Sequence, residues 1–519
     1  MQQISLIPII NERPSHYAER LSKYYASKTN QFHKKNLGQF FTPLLLSNFI
    51  ASFSTTDKRK VRILDPGCGT CILSSSLIEK LSENKKLKII ELTTFEIDPK
   101  LNIYTAASLS HLNDWLTKKG LTLKINHRSV DFINANYAVI NSLSYEKFDI
   151  IISNPPYFKI SKLDERKNLF KTLSNGQLNI YAVFAAISAH MLNINGELLF
   201  IIPRSFASGE YFKNFRKIFF SSIQVEKIHL FVSRKEAFDD KILQENLIIK
   251  GHRVTKIDLR KRIEITQSNG LKDINKSTKK EFSYAQLIDL NSDEKFLYLP
   301  NSDEQEKVMT LIKRQKNTLQ TLGYKVSTGP IVYFRKTQFL QKNRLDNSVP
   351  LYWLDNVKKF NITHPMNGKS KEQFFSSTEK SNSVLIKNSN LVLVRRFSSK
   401  DEVSRLVAAP HFKKTLPEYE KIGIENKLNY IVKKEGDLSL FEVLGICSIL
   451  NSYVYDEYFK TFNGNTQVSA SELKKIPFPN FKKITEIGKK VSQLGMKDSQ
   501  KINKIVSKAL VEKISNEKN

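Results

Sequence analysis

Apolar, strand-like runs alternate with helical patterns along residues 35–255, and this alternation constrains the fold more than any other feature of the sequence. The expected strands are 61–67, 87–98, 121–129, 148–154, 196–203, 224–231 and 245–253. Between the early strands, segments such as LSSSLIEKLSENKK carry apolar residues three and four positions apart, which predicts helices. A chain that alternates strand and helix in this way forms a mainly parallel sheet with helices on both faces. We therefore expect an α/β fold.

The fourth expected strand ends abruptly in the sequence FDIIISNPPYF, residues 148–158. Its apolar run stops just before Asn154, Pro155, Pro156 and Tyr157. Two consecutive prolines cannot continue a sheet, because each lacks an N–H group and has its φ fixed. The strand therefore presents a carboxamide and an aromatic ring at its carboxyl end, which is where doubly wound sheets bind ligands.

The first expected strand leads into the turn DPGCGT, where Asp65, Gly67 and Gly69 form a D-x-G-x-G pattern. Glycine permits a positive φ and lets a ligand approach the backbone closely. Taken alone, the pattern is explained equally well by a tight strand–helix turn that binds nothing.

The next two strands also end in acidic residues. Glu96 could accept hydrogen bonds from both hydroxyls of a ribose, although a solvated carboxylate is the plainer interpretation. Asp131 and Phe132 could hold an adenine, because the carboxylate can accept from the amino group while the ring packs on the base. Groups suited to bind a ligand follow three successive strands, and together they indicate a binding site more strongly than any one of them does.

The chain of 519 residues has a formal net charge of +31, from 82 Lys and Arg against 51 Asp and Glu. Such a surplus favours a nucleic-acid partner. A Lys-, Asn- and Ile-rich composition, typical of an AT-rich genome, is the alternative explanation. No apolar run is long enough to span a bilayer and no signal-peptide pattern occurs, so we expect a cytoplasmic protein.

The cysteine content excludes a disulfide framework, because Cys68, Cys71 and Cys447 are few and odd in number. Cys68 and Cys71 form a C-x-x-C pair, but no second Cys or His pair with suitable spacing completes a zinc site. We expect no metal.

The length predicts more than one domain. We expect an N-terminal helical segment at 1–34, an α/β domain at 35–255, a polar connector at 256–320, a mixed α+β domain at 321–480, and a basic helical tail at 481–519. Within the fourth region, the sequence SASELKK predicts a helix capped by Ser469 or Ser471.

The order D-x-G-x-G, E-x-D, D-F and N-P-P-Y resembles that of gamma-class type II DNA adenine-N6 methyltransferases, which depend on S-adenosylmethionine. The preceding segment KNLGQFFTPLLLSNFI resembles the segment that lies before the Gly-rich turn in that class, with Gly38, Phe41, Thr42 and Pro43 at corresponding places. The chain resembles the TaqI-like enzymes and, more closely, the XhoI- and PstI-type modification enzymes. The resemblance implies a Rossmann-like class I methyltransferase domain with a seven-stranded sheet, followed by a target-recognition domain.

The resemblance also implies roles for the N-P-P-Y residues. The Asn154 side-chain oxygen and the Pro155 carbonyl would accept from the amino group of a flipped-out adenine, and Tyr157 would stack on the base. A second aromatic would clamp the other face; Phe238 is our choice and Phe231 the rival, though either could be a core residue. Cofactor binding would involve the following residues: Thr42, Pro43, Asp65, Gly67, Gly69, Glu96, Asp131, Phe132 and Asn154. Asn179 and Tyr181 match the helix beside the cofactor, although helix capping explains Asn179 equally well.

Recognition of double-stranded DNA is expected from the second domain. Cations lie among aromatics there, and the candidate DNA-binding residues are Arg335, Lys336, Arg395, Arg396, Asn465, Thr466 and Gln467. Contacts with phosphates are the more common use of such Arg and Lys side chains. The segment around Asn465 could equally serve the fold alone.

Several alternatives share the same motifs. The acceptor could be cytosine N4, an RNA base or a protein glutamine, or the chain could be a non-catalytic specificity or anti-restriction protein. No nuclease motif with suitable surroundings is found, so a cognate restriction endonuclease would be a separately encoded protein. We expect a monomer, because methylation of one strand at a time needs one catalytic centre.

Overall fold

The computed structural model describes residues 6–39, 41–141, 145–161, 164, 166, 173, 176, 179–231, 246–366, 371–398, 402–464, 467–494 and 498–511. The chain divides into two compact units, Met1–Leu297 and Tyr298–Asn519. No helix among the described residues is long and apolar enough to cross a membrane.

The first unit begins with three helices and then alternates strands with helices. Its helices are α1 (Pro14–Lys28), α2 (Gln31–Leu37), α3 (Leu44–Ala51), α4 (Ile72–Leu81), α5 (Asn102–Thr117), α6 (Phe132–Asn136), α7 (Ile180–Met191), α8 (Lys213–Ser222) and α9 (Tyr284–Leu287). Its strands are β1 (Lys60–Asp65), β2 (Ile89–Phe95), β3 (Thr122–Arg128), β4 (Phe148–Ser153), β5 (Leu192–Pro203), β6 (Ile223–Phe231), β7 (Asn246–Arg253), β8 (Arg262–Ser268) and β9 (Thr278–Ser283).

These strands form one nine-stranded sheet in the order β3-β2-β1-β4-β5-β7-β6-β8-β9. The pairs from β3 to β5 are all parallel, whereas β7 runs antiparallel to both β5 and β6. All seven expected strands occur, and the predicted α/β fold is confirmed. From β1 the chain adds β2 and β3 on one side, and it then returns to add β4 on the other side of β1. At such a change in the order of parallel strands, a crevice opens at the carboxyl ends of the two central strands, here β1 and β4.

The range 256–320 is more structured than the connector that we expect from the sequence. It contains β8, parallel to β6, and β9, antiparallel to β8, which extend the sheet from the seven strands implied by the resemblance to nine. The prediction missed them because they carry charged pairs in place of an apolar run: Lys279 lies against Glu264, and Arg262 against Glu281. The edge strand β9 has a single buried position, and β8, which lies between β6 and β9, buries two isoleucines among polar residues, so neither shows a clear apolar run. The division of the chain into five functional regions, given above from the sequence, stays a prediction.

The core on one face of the sheet lies beneath helices α3, α4 and α5. Leu46 and Leu77 pack there with Ile63, Ile150 and Ile152 from the sheet. On α7 every residue except His190 is buried, and the helix contacts β5. Burial on both faces explains the three consecutive isoleucines, 150–152, in the middle of β4.

The second unit combines helices with short strands, as the prediction of a mixed α+β region required. Its helices are α10 (Asp303–Lys313), α11 (Leu440–Asn451), α12 (Tyr453–Phe462), α13 (Ala470–Lys475), α14 (Phe481–Leu494) and α15 (Ser499–Val511). Its strands are β10 (Asn317–Thr318), β11 (Tyr324–Thr328), β12 (Leu340–Gln341), β13 (Ser348–Tyr352), β14 (Val357–Lys358), β15 (Asn361–Ile362), β16 (Phe374–Ser376), β17 (Ile386–Lys387), β18 (Leu391–Arg395), β19 (Ala408–His411), β20 (Lys421–Ile424), β21 (Leu428–Lys433) and β22 (Pro477–Phe478).

Two sheets organise this unit, one with the order β11-β21-β18-β19 and one with the order β12-β16-β13-β20-β17. The predicted cap of α13 is confirmed at Ser469, whose hydroxyl accepts from the backbone N–H of Glu472. The reciprocal contact from Ser469 N–H to the Glu472 carboxylate completes a capping box.

Candidate active site

A cavity of about 310 Å³ opens at the carboxyl edge of the first unit's sheet. It is built from the segment before α3, the turn after β1, the ends of β2, β3 and β4, and the start of α7. The predicted residues that line it are Thr42, Gly67, Gly69, Glu96, Asp131, Phe132, Asn154 and Pro156. The tertiary structure therefore brings together groups that are more than one hundred residues apart in the sequence.

The turn after β1 adopts a conformation that needs its glycine. Gly69 has φ +53°, in the left-handed region. Its backbone N–H donates to Glu96 Oε2 at 3.0 Å, so the end of β2 holds the turn in place.

Glu96 is 8% exposed and lies at the wall of the cavity. Besides Gly69, it accepts at Oε1 from the backbone N–H of Asp98 at 2.8 Å. Burial raises the pKa of Glu96 to about 7, because the ionised form loses contact with water. Its protonation therefore changes in the neutral range.

Asp65 lies beneath the turn and does not line the cavity. It is fully buried and accepts from the Ser74 hydroxyl at 2.5 Å, which ties β1 to α4. Burial raises the pKa of Asp65 to about 7 as well. In this structure Asp65 supports the turn and has no side-chain surface at the cavity.

Asp131 combines two roles at the end of β3. Its Oδ1 accepts from the backbone N–H of Ile133 at 2.7 Å, which caps α6, and its Oδ2 contacts Arg166 Nη1 at 2.6 Å. The sequence analysis missed Arg166, because it lies 35 positions after Asp131 outside any motif. Phe132 packs against Phe95 and Phe184, with ring centroids 5.2 and 5.0 Å away.

The Asn154 carboxamide is held from two sides at the end of β4. Its Nδ2 donates to Thr42 Oγ1 at 3.0 Å, and its Oδ1 accepts from the Tyr157 hydroxyl. Thr42 belongs to the segment before α3, so this contact joins the first and last motifs of the site. Pro43 begins α3 at its N-cap and does not line the cavity.

Tyr157 points inward in this structure. It is 7% exposed, its hydroxyl also lies 3.0 Å from the Ile201 backbone oxygen, and burial raises its pKa. The two residues next to Tyr157 in the sequence, Pro156 and Phe158, do line the cavity. Phe158 was not predicted, although its aromatic character next to N-P-P-Y is visible in the sequence.

Comparison with known proteins identifies the family. Residues 63–238 match the family model described as Eco57I restriction-modification methylase. The chain is 32% identical to the type II methyltransferase M.BsuBI of Bacillus subtilis, over 88% of this chain and 90% of that protein. It is 29% identical to the type II methyltransferase M.PstI of Providencia stuartii, over 92% of this chain and 93% of that protein.

The chain belongs to the type II methyltransferases. It is thus a DNA methyltransferase of the restriction–modification kind, and the predicted resemblance to the PstI-type enzymes is confirmed. The family match covers the turn after β1, the ends of β2 and β3, and the N-P-P-Y segment.

Two residues are the candidates for the predicted aromatic clamp of this methyltransferase. Phe238 lies outside the described residues. Phe231 is 7% exposed and packs in the core beside His229, with ring centroids 4.8 Å apart. Tyr181 is fully buried and its hydroxyl lies 2.8 Å from Ser205 Oγ, whereas the Asn179 side chain makes no capping hydrogen bond to α7.

The predicted DNA-binding residues of the methyltransferase occupy different environments in the second unit. Arg335 is exposed and Lys336 half-buried, each at the edge of a short 3₁₀ turn. Arg395 pairs with Glu402 at 2.9 Å. Asn465 and Thr466 lie outside the described residues.

Two of the candidate positions approach each other. The Arg396 backbone oxygen accepts from Val468 N–H at 2.8 Å, and Phe397 pairs with Gln467 in an isolated bridge. Arg396 Nη1 also donates to the Asn426 backbone oxygen at 3.0 Å. The structure thus joins two sequence segments, 396–397 and 467–468, that we expect independently to serve recognition.

Among the described residues, no group of three or more His, Cys, Asp or Glu side chains could hold a metal ion. Cys68 and Cys71 are free and buried, and burial is the main cause that raises the pKa of the Cys68 thiol.

Proposed function

We propose that this methyltransferase transfers a methyl group from S-adenosylmethionine to N6 of a flipped-out adenine in a specific sequence of double-stranded DNA. The observation that carries the proposal is the Asn154 carboxamide, which lines the cavity and is held by Thr42 and Tyr157. An oriented amide oxygen at the end of a parallel strand suits an acceptor group that carries a planar NH₂.

The residues that line the cavity fit S-adenosylmethionine. Glu96 offers a buried carboxylate to the two ribose hydroxyls, and the turn at Gly69 brings the backbone close to the ligand. Asp131 and Phe132 suit an adenine, one by accepting from its amino group and the other by packing on its ring. When bound, S-adenosylmethionine supplies an electrophilic methyl group on its sulfonium.

The chain's own residues would activate the amino nitrogen of the base. This nitrogen is a poor nucleophile, because its lone pair is delocalised into the ring. Acceptance of its two hydrogens by Asn154 Oδ1 and the Pro155 carbonyl favours a pyramidal nitrogen whose lone pair faces the methyl group. The prolines hold that carbonyl rigidly, so the two acceptors are oriented before the base arrives.

The target base must leave the duplex to reach a cavity of this kind, and stacking on an aromatic face offsets the lost base stacking. We assign that face to Tyr157. Its side chain must then turn from its buried position toward the base, which breaks the hydrogen bond from its hydroxyl to Asn154. The Asn154 oxygen is thereby freed to accept from the amino group.

Mass spectrometry of nucleosides tests the proposal. Plasmid DNA that contains many sequences is incubated with the purified protein and S-adenosylmethionine, then digested to nucleosides. N6-methyladenine supports the proposal, and sequencing of modified positions then gives the recognition site. N4-methylcytosine as the sole product, or transfer to RNA or protein alone, would overturn the choice of acceptor.

We further propose that the protein acts in the cytoplasm as a monomer and that its cognate endonuclease is a separate protein. Its substrate is chromosomal DNA, and one catalytic centre suffices for each strand. Light scattering on the purified protein, alone and with DNA, gives the oligomeric state. A stable dimer in both conditions would contradict the proposal of a monomer.

A further inference from the structure

We infer that Asp98 is a positioning residue for the cofactor, because it holds the N-terminal helical segment against the cavity. Asp98 lies three positions beyond the end of β2, in the turn that follows Glu96. It is 1% exposed, and it does not line the cavity.

Three side chains from the N-terminal segment converge on a single oxygen of Asp98. The Tyr25 hydroxyl, His33 Nε2 and Gln39 Nε2 lie 2.5, 2.9 and 2.7 Å from Oδ2. These residues come from α1, from α2 and from the chain just after α2. Asp98 is therefore the common partner of three separate parts of the segment.

The other oxygen of Asp98 contacts the turn itself. Oδ1 accepts from the backbone N–H of Lys100 at 3.0 Å. A carboxylate can accept on both sides, whereas an amide at this position would direct NH₂ either at the three side chains or at the Lys100 N–H. Burial raises the pKa of Asp98, but the hydrogen bonds from Tyr25, His33 and Gln39 outweigh it, so the pKa lies below its usual range.

The anchored segment continues directly into the wall of the cavity. Leu37, Gly38, Gln39 and Thr42 all line it, and Thr42 also orients Asn154. On the opposite side, the Asp98 backbone N–H donates to Glu96, the proposed ribose acceptor. Asp98 thus connects two walls of the cavity without contacting its interior.

This inference rests on the proposed binding of S-adenosylmethionine in the cavity. It predicts that loss of the Asp98 contacts weakens cofactor binding more than it weakens catalysis, because bound cofactor helps to hold the displaced segment. The effect on cofactor binding is measured by the cofactor Kd and KM, and the effect on catalysis is measured by kcat at saturating cofactor.

The test compares Asp98→Asn and Tyr25→Phe with the wild type by calorimetry and steady-state kinetics. Tyr17→Phe is the matched control: it removes a buried hydroxyl from the same helix, α1, whose partner is the Leu6 backbone oxygen. We expect a Kd about tenfold higher for Asp98→Asn, about threefold higher for Tyr25→Phe, and no change for Tyr17→Phe. The kcat at saturating cofactor should stay within about threefold of the wild type.

An unchanged Kd in Asp98→Asn, even with a lower melting temperature, would overturn the inference and leave Asp98 a purely structural residue. If Asp98→Asn does not fold, the comparison of Tyr25→Phe with Tyr17→Phe decides, and equal Kd values in that pair would overturn it. If the wild type itself does not bind S-adenosylmethionine, the proposed function fails first.

Discussion

At the scale of single residues, the orientation of Asn154 is the feature on which the proposed chemistry depends. Its nitrogen donates to Thr42 and its oxygen accepts from Tyr157, so the carboxamide cannot rotate by half a turn without the loss of both hydrogen bonds. The oxygen is therefore directed before any substrate binds, which lowers the cost of reorganisation during transfer.

Asn154→Ala should abolish methyl transfer while cofactor binding is retained. Alanine removes the proposed acceptor for the amino group but leaves Glu96, Asp131 and Phe132 in place. We expect kcat to fall by at least about a thousandfold, the size seen when one oriented hydrogen-bonding group is deleted. Radioactive methyl transfer and calorimetry measure the two effects, and normal turnover in this variant would refute the proposed role.

Glu96 predicts how cofactor affinity depends on pH. Its pKa of about 7 means that the carboxylate, the form that accepts from ribose hydroxyls, predominates only above neutral pH. The KM for S-adenosylmethionine should therefore fall by at least about threefold as the pH rises from about 6 to about 8.

Glu96→Gln provides the control for this pH dependence, because glutamine does not titrate. Any titration of the cofactor itself is common to both proteins. An identical pH profile in the two proteins would show that Glu96 does not cause the change.

At the scale of elements, the turn between α2 and α3 fits closely against the segment that follows β4. Gly38 has φ +61°, and a Cβ there would lie 2.7 Å from Phe158 Cδ1 and 3.0 Å from Pro156 Cβ. Both the backbone conformation and the contact demand glycine. This contact places Gln39 and Thr42 at the cavity.

Gly38→Ala should weaken cofactor binding by about tenfold or more, since the added methyl group pushes the two segments apart. Gly120→Ala is a matched control, because Gly120 has φ +69° but open space around its Cβ position. That control should lose about 1 kcal/mol of stability and no cofactor affinity. Equal affinities in the two variants would show that the close contact is not needed.

At the scale of the whole molecule, the charge of +31 is the dominant property. A protein that neutralises DNA phosphates releases condensed counterions, so its affinity falls steeply with salt. We expect the logarithm of the DNA association constant to decrease linearly with the logarithm of salt concentration, with a slope of about −4 or steeper. Fluorescence anisotropy with a labelled duplex measures this slope, and a flat response would mean that the charge does not contact phosphates.

The local sequence determined much of the α/β unit. Each of the seven expected strands occurs, and in the heavily buried strands β4, β5 and β7 burial imposes apolar runs that are visible in the sequence. The meeting of Glu96, Asp131 and Asn154 at one edge followed from parallel strands, whose carboxyl ends lie together. The sequence did not predict β8 and β9, because neither carries a long apolar run: β9 forms the exposed edge of the sheet, and β8 alternates its two isoleucines with polar residues.

Other parts of the site depended on contacts between distant segments. No local pattern shows that Asp98 accepts hydrogen bonds from three side chains of the N-terminal segment. Nor does any local pattern show that Arg166 pairs with Asp131, or that the Tyr157 hydroxyl donates to Asn154. The sequence by itself therefore determined which chemical groups lie at the strand ends and to which family the chain belongs. Only the tertiary structure decided which of them face the cavity and which support it, because a side chain's partners are set by packing across the fold.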